Sequence, residues 1–268
     1  MTEALGGVWL ERAGDGPPVV LLHGLGDDHG LWRSIAPVLR ERYDTLAVDL
    51  PGHGRSAPVG EPVSIEWFAR QVDRALDAEA IEDPVVIGLS MGGGVAQSLA
   101  LDVGRPMRGL VLVSTSPVLP EATRHRFAER AALAEREGMA AVIDATVSRW
   151  FTPAFEAARP DEVARTRQVA LTTDPVSFAH AGRANSVRDF TARLGQIDVP
   201  VLFVGGTDDP AAPARAVALY RSAIPNLEVA LFEGVSHLIP VEAPERLLGV
   251  LLPFLDRVTR GVAAGRAS

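Results

Sequence analysis

Val85-Val86-Ile87-Gly88-Leu89-Ser90-Met91-Gly92 is the stretch on which the reading of this chain turns. Val85-Val86-Ile87 is a short, β-branched, apolar run and predicts a strand. Gly88-Leu89-Ser90-Met91-Gly92 follows it directly, fits G-x-S-x-G and leads into a helix. That order makes a sharp strand-to-helix turn which lifts a serine hydroxyl above a sheet edge. The two glycines are expected because a side chain at either position would collide with the neighbouring strand and helix. Met91 N–H, at the start of the helix, points where an oxyanion would form and is helped by the helix dipole. Ser90 is the candidate nucleophile; the bland alternative is a glycine-rich turn without chemistry.

Outward from this turn the same rhythm recurs. Val19-Val20-Leu21-Leu22, Thr45-Leu46-Ala47-Val48, Leu110-Val111-Leu112-Val113, Val201-Leu202-Phe203-Val204 and Val229-Ala230-Leu231-Phe232 are short, nearly continuous apolar runs. Such runs suit parallel strands covered on both faces. A helix is expected near Leu31–Arg42. Another begins after Ser64, with Ile65, Phe68, Val72 and Leu76 on its apolar face. Ser64 suits its N-cap and Glu66 its positive end. Strands alternating with helices imply an α/β fold, a mostly parallel twisted sheet flanked by helices.

From about Ser116 to Phe190 the rhythm stops. Met139, Val142, Ile143, Thr146, Val147 and Trp150 form a one-sided helical stripe, and Pro153 blocks its continuation. The expected organisation is a core of residues 1–115 and 191–268, with residues 116–190 as a helical cap inserted between two strands.

A serine nucleophile needs a base, and the base an orienting acid. His237, in Gly234-Val235-Ser236-His237-Leu238, follows the last apolar run and leaves a strand end near the serine turn. The chain order Ser, Asp, His is the one this turn brings with it. The acid is expected in Gly205-Gly206-Thr207-Asp208-Asp209-Pro210. Asp209 is favoured because Pro210 holds the preceding residue extended, with Asp208 as the alternative. His125 and His180 read as surface or pocket-lining; His29 and His53 lack an evident partner and read as structural. Leu22-His23-Gly24-Leu25-Gly26 follows an early strand, and Leu25 N–H is the expected second oxyanion donor. His23 reads as a brace for that loop, with catalysis as the alternative. Trp150 and Leu238 are the expected substrate contacts, although a Trp on an apolar stripe is also a packing residue.

Composition removes whole classes of chemistry. The 268 residues carry 26 basic and 34 acidic side chains, a net charge of −8. There is no cysteine, so thiolate catalysis and Cys-ligated metals are out. There is no lysine, so Schiff-base and P-loop chemistry are out as well. The acidic balance argues against nucleic acid and anionic membranes as partners. Gly52-His53-Gly54-Arg55-Ser56-Ala57 mimics a dinucleotide-binding fingerprint, but Pro58, Gly60 and Pro62 forbid the helix it requires. Neither metal nor cofactor is expected. Met1-Thr2-Glu3-Ala4-Leu5 has no secretory pattern, so a cytoplasmic protein is expected, with a homo-oligomer possible.

Taken together, His23-Gly24-Leu25-Gly26, Asp49-Leu50-Pro51-Gly52-His53-Gly54-Arg55-Ser56, Gly88-Leu89-Ser90-Met91-Gly92 and the Asp209 and His237 loops resemble the α/β-hydrolase family over essentially the whole chain. Arg149-Trp150-Phe151-Thr152-Pro153-Ala154-Phe155 and Gly206-Thr207-Asp208-Asp209-Pro210 are most similar to the branch of 3-oxoadipate enol-lactonases and non-haem haloperoxidases. The resemblance implies acid placement at Asp209 and hydrolysis of a small ester or lactone. An enol-lactone carboxylate calls for an arginine, for which Arg149, Arg183 and Arg188 are candidates. The rival readings are C–C bond hydrolysis of a diketone acid with the same residues, and a non-catalytic small-ligand receptor.

Overall fold

In the computed structural model, which describes residues 7–211 and 213–260, seven strands form one sheet in the order β1-β3-β2-β4-β5-β6-β7. They are β1 (Trp9–Ala13), β2 (Pro18–Leu22), β3 (Asp44–Asp49), β4 (Val85–Leu89), β5 (Gly109–Val113), β6 (Val201–Gly206) and β7 (Leu227–Phe232). All neighbours pair in parallel except β1, which runs antiparallel to β3 with Trp9 opposite Asp49. The N-terminal pentapeptide and the Gly/Ala/Arg tail after Arg260 lie outside the described residues.

The helices are α1 (Ala36–Leu39), α2 (Ile65–Ala78), α3 (Met91–Ser98), α4 (Glu121–Glu137), α5 (Ile143–Val147), α6 (Pro153–Ala158), α7 (Pro160–Thr172), α8 (Pro175–Val187), α9 (Pro213–Arg221), α10 (Ile239–Glu242) and α11 (Pro244–Thr259). Successive strand residues face opposite sides, so each central strand feeds two cores. Val20, Leu22, Val86, Leu112 and Phe203 pack with α2, α3 and α9. Val19, Leu21, Ile87, Val111 and Val204 pack with α1 and α11. Burying both faces is why these strands read as unbroken apolar runs. Ser64 caps α2 by accepting from Trp67 N–H at 3.1 Å.

Three expectations are corrected. The last run is not covered on both faces: β7 is an edge strand, and Leu231 is 45% exposed. The helix expected near Leu31–Arg42 is a 3-10 turn, His29–Trp32, and a single α-turn, Ala36–Leu39. Pro37 explains the break, since it lacks the N–H that a longer helix would need there. The stripe from Met139 to Trp150 has all six side chains buried, yet it is a 3-10 turn (Met139–Ala141), α5 and a following turn. Pro153 both ends that stripe and opens α6, where Thr152 accepts from Phe155 N–H at 3.3 Å. Proline suits a first helical position because that N–H is unpaired in any case. Among the described residues between β5 and β6, the only β pairing is a bridge from Val118 to Asp189.

Candidate active site

Ser90 joins β4 to α3 with φ 53° and ψ −109°, a region side chains avoid at a cost of about 1–3 kcal/mol. The turn is held in it from several directions. Ser90 N–H donates to Val113 O at 2.9 Å, and Ser90 O accepts from Gly94 N–H at 3.1 Å and Thr115 Oγ at 2.7 Å. A Cβ at Gly88 would drive into Gly92 O, and one at Gly92 into the carbonyls of Leu22 and His23. Only glycine lets α3 lie this close to β4 and the loop after β2.

Ser90 and the Asp209–His237 pair, more than a hundred residues apart in sequence, line one cavity beyond the C-terminal ends of β2, β4, β5 and β6. Asp209 is 5% exposed and accepts from His237 Nδ1 at 2.8 Å and from Ala211 N–H at 2.8 Å. Asp208 instead accepts from the Thr207 hydroxyl at 2.9 Å on the surface. With Nδ1–H donated to Asp209, the ring is fixed in one tautomer, and Nε2 is the basic nitrogen. Among the described residues Nε2 has no hydrogen-bond partner.

The loop bearing His237 is sewn to the helical stretch between β5 and β6. Trp150 O accepts from His237 N–H at 3.1 Å and from Leu238 N–H at 3.0 Å. Glu242, on α10, receives Ser236 N–H at 2.8 Å on one oxygen. Its other oxygen takes Thr152 N–H at 3.1 Å and the Thr152 hydroxyl. Trp150 and Leu238 both line the cavity, and Trp150 also packs in the core with Phe151 and Val147.

Leu25 lines the cavity beside Gly24. The Met91 side chain is fully buried in the core, and its amide sits in the first turn of α3, where no intrahelical acceptor exists. His23 lies beneath: Nδ1–H donates to Gly24 O at 2.7 Å, and Nε2 accepts Leu50 N–H at 2.9 Å. Burial pushes its pKa down to about 3, so the ring is a neutral brace.

Other assignments shift. His29 does have a partner, donating to Asp49 Oδ1 at 2.9 Å from its ring and at 2.7 Å from its backbone. His125 is on the surface near Glu121. His180 is neither at the surface nor on the cavity; α8 packs on α4 and buries it. Of the three candidate arginines, Arg183 pairs with Glu135 at 2.5 Å, whereas Arg149 and Arg188 line the cavity.

Several cavity groups carry no motif and escaped sequence reasoning, among them Asp27, Ser114, Thr115 and Arg130. Asp27 is 4% exposed; its Oδ1 accepts Asp28 N–H at 2.9 Å, while Oδ2 has no partner. Burial pushes its pKa up to about 7. Ser114, at the end of β5, has φ 46° and an unpartnered, buried hydroxyl.

Comparison with known proteins bears on this geometry. The profile described as alpha/beta hydrolase fold matches residues 17–244. The chain belongs to the alpha/beta-hydrolase family. Within that family, 3-oxoadipate enol-lactonase 1 of Acinetobacter baylyi is 27% identical over 242 residues, covering 90% of each chain. Among solved alpha/beta hydrolases, a thermophilic esterase from Thermogutta terrifontis superposes with a TM-score of 0.89 at 26% identity, covering 94% of both chains. The enol-lactonase from Burkholderia xenovorans gives 0.88 at 28%, covering 92% of this chain and 96% of that one. As a member of this family the chain is a hydrolase. No described helix is long and apolar enough to cross a membrane.

Proposed function

We propose that this hydrolase cleaves a small carboxylic ester or lactone through an acyl-enzyme on Ser90. The observation that carries the reading is the 2.8 Å bond from His237 Nδ1 to buried Asp209, beside a serine held at positive φ on the same cavity. His237 Nε2 takes the Ser90 proton as the oxygen attacks the acyl carbon, and Asp209 keeps the tautomer and stabilises the imidazolium. Leu25 and Met91 N–H groups receive the oxyanion, each donor being worth ~10²–10³ in rate. The imidazolium then gives its proton to the departing alkoxide, which in a lactone stays attached to the acyl group. Water, deprotonated by the same nitrogen, releases the acid and restores Ser90. Residues 116–190 serve as a cap over the cavity, with Trp150 and Leu238 against the substrate. The protein acts in the cytoplasm on a small molecule, without nucleic acid or membrane.

Relatives of both kinds, esterases and enol-lactonases, support an ester or lactone over a C–C bond. The test is a panel of lactones, aryl esters and diketone acids offered to the wild type and to Ser90→Ala. Turnover of esters or lactones that falls at least 10⁴-fold in Ser90→Ala is the expected result. Full turnover by that variant, or turnover of diketone acids alone, overturns the reading. Binding without turnover by the wild type would make the chain a receptor.

A further inference from the structure

Four buried side-chain atoms of cavity-lining residues lack a hydrogen-bond partner among the described residues: Asp27 Oδ2, Ser114 Oγ, Arg130 Nε and Arg188 Nε. They are not equally costly. Arg188 has spent its other donors on the chain, reaching Asn185 O at 2.9 Å and Ser116 O at 3.0 Å. Arg130, on α4, makes no side-chain hydrogen bond among the described residues, but its guanidinium lies 4.6 Å from the centre of the Phe127 ring. The Ser114 hydroxyl is small and neutral and turns about a single bond. Asp27 is the one acid of the four, and a carboxyl oxygen kept from water without a partner carries a heavy desolvation penalty.

The loop itself gives no reason for that penalty. Asp28, the next residue, caps the 3-10 turn His29–Trp32 by accepting Gly30 N–H at 2.8 Å. Asp27 has only its Oδ1 engaged, with Asp28 N–H at 2.9 Å. An asparagine would make that bond without burying an ionisable group. No paired cation offsets the burial either, because Arg33, whose charge bears on Asp27, is itself paired with Glu162. A buried acid on a cavity wall with one oxygen unspent is placed for a ligand.

What that ligand carries follows from what Asp27 can pair with. Burial holds its pKa near 7, so around neutrality the acid and the carboxylate are both present. A hydroxyl pairs with either form, accepting from the acid O–H and donating to the carboxylate. A carbonyl pairs with the acid alone, and an ammonium with the carboxylate alone. An ammonium would also share the cavity with Arg130 and Arg149, neither of which has a carboxylate within 4.0 Å among the described residues. Leu25, whose N–H is the proposed oxyanion donor, precedes Asp27 by two residues, at most about 7 Å of chain. A group held by Asp27 therefore sits within a few carbons of the reacting carbonyl.

The geometry points to Asp27 Oδ2 as a subsite for a hydroxyl group carried by the substrate close to its acyl carbon. This rests on the hydrolysis proposed at Ser90 and narrows it to esters or lactones whose acyl part bears a free hydroxyl.

The test compares methyl hexanoate with methyl 2-hydroxyhexanoate and methyl 3-hydroxyhexanoate, each of which adds one hydroxyl. The wild type should favour at least one hydroxy ester by about tenfold or more in kcat/KM, because a buried polar group is left unpaired by the analogue that lacks the hydroxyl. Asp27→Leu should remove that preference through the KM of the hydroxy ester. Asp27→Asn, which keeps the bond to Asp28 N–H and offers an amide to the hydroxyl, should retain only part of it and stands in should the Leu variant fail to fold. Arg183→Gln, which touches only the Glu135 pair, should retain all of it. The subsite is overturned by a wild type without preference, by Asp27 variants that leave the preference whole or slow all three esters in proportion, or by a higher kcat/KM for methyl 3-aminohexanoate.

If no ester turns over, the hydrolysis reading fails separately, and calorimetry on Ser90→Ala with the same intact esters decides the subsite. A hydroxy ester bound about tenfold or more tighter than methyl hexanoate, with the difference erased by adding Asp27→Leu or reduced by adding Asp27→Asn, supports it. Equal binding of the esters, or none, overturns it.

Discussion

The loops after β2 and β7 each bring a histidine to the same edge of the sheet, and the two side chains are used in opposite ways. His23 spends both ring nitrogens on the backbone, at Gly24 O and Leu50 N–H, and is fully buried. His237 spends one nitrogen on Asp209 and keeps the other unpartnered at the cavity, while Trp150 O and Glu242 hold its loop from behind. Position at the strand ends is shared by both. What separates a brace from a candidate base is the nitrogen left over.

That contrast can be broken most decisively at His237. His237→Gln should lower kcat by ~10³–10⁴ or more with an almost unchanged thermal midpoint; a loss of stability comparable to the loss of rate would put the ring among the braces. His23→Leu should do the reverse. It strands Leu50 N–H in a dry interior and leaves Gly24 O with only Asp27 N–H at 3.3 Å, and should cost ~2–4 kcal/mol in urea unfolding, with ester turnover persisting at temperatures where the variant is folded.

Asp27, four residues after His23, sharpens the comparison through pH. Its pKa of about 7 in the fold exceeds the usual 3.8, so folding binds a proton that the unfolded chain has already released between those values. Its destabilising effect is therefore absent below about pH 4, grows as pH rises and is complete above pH 7. Asp27→Asn should gain on the order of 2–4 kcal/mol at pH 8.5 and almost nothing at pH 4. His23, with its pKa lowered to about 3, acts in the other direction: its contribution is lost as pH falls from 6.5 towards 3. Equal gains at both pH values for Asp27→Asn would show the carboxyl to be solvated. The smallest effect is expected at Glu242, whose two oxygens both accept N–H donors. Glu242→Gln turns an amide against one of them and should cost about tenfold in kcat with KM little changed, or ~1.4 kcal/mol.

Much of this was legible before any coordinates. Apolar runs located six strands, β2 to β6 because two-sided burial leaves little room for polar residues and β7 although one face is open, and the glycine turn after Val85-Val86-Ile87 placed Ser90. β1 escaped because Trp-Leu-Glu-Arg-Ala is an edge strand with only Leu10 fully inward. The buried face from Met139 to Trp150 was readable, but its division into short turns was not, since periodicity records which side is buried and not where hydrogen bonding lapses. Asp209 could be preferred to Asp208 through Pro210 and the family resemblance; the Nδ1 bond distinguishes them in space. Arg130 had no signal at all. On α4 it is one arginine among several, and its distinction is what it fails to touch.

The stitching of Ser236, His237 and Leu238 to Arg149, Trp150 and Thr152 has a consequence for redesign. The stretch between β5 and β6 is not an interchangeable insertion. Grafting a foreign one to alter substrate choice would remove the carbonyl and hydroxyl partners that anchor the imidazole-bearing loop. Segments 149–152 and 236–242 would have to be transplanted as a pair, inherited together like two halves of a hinge.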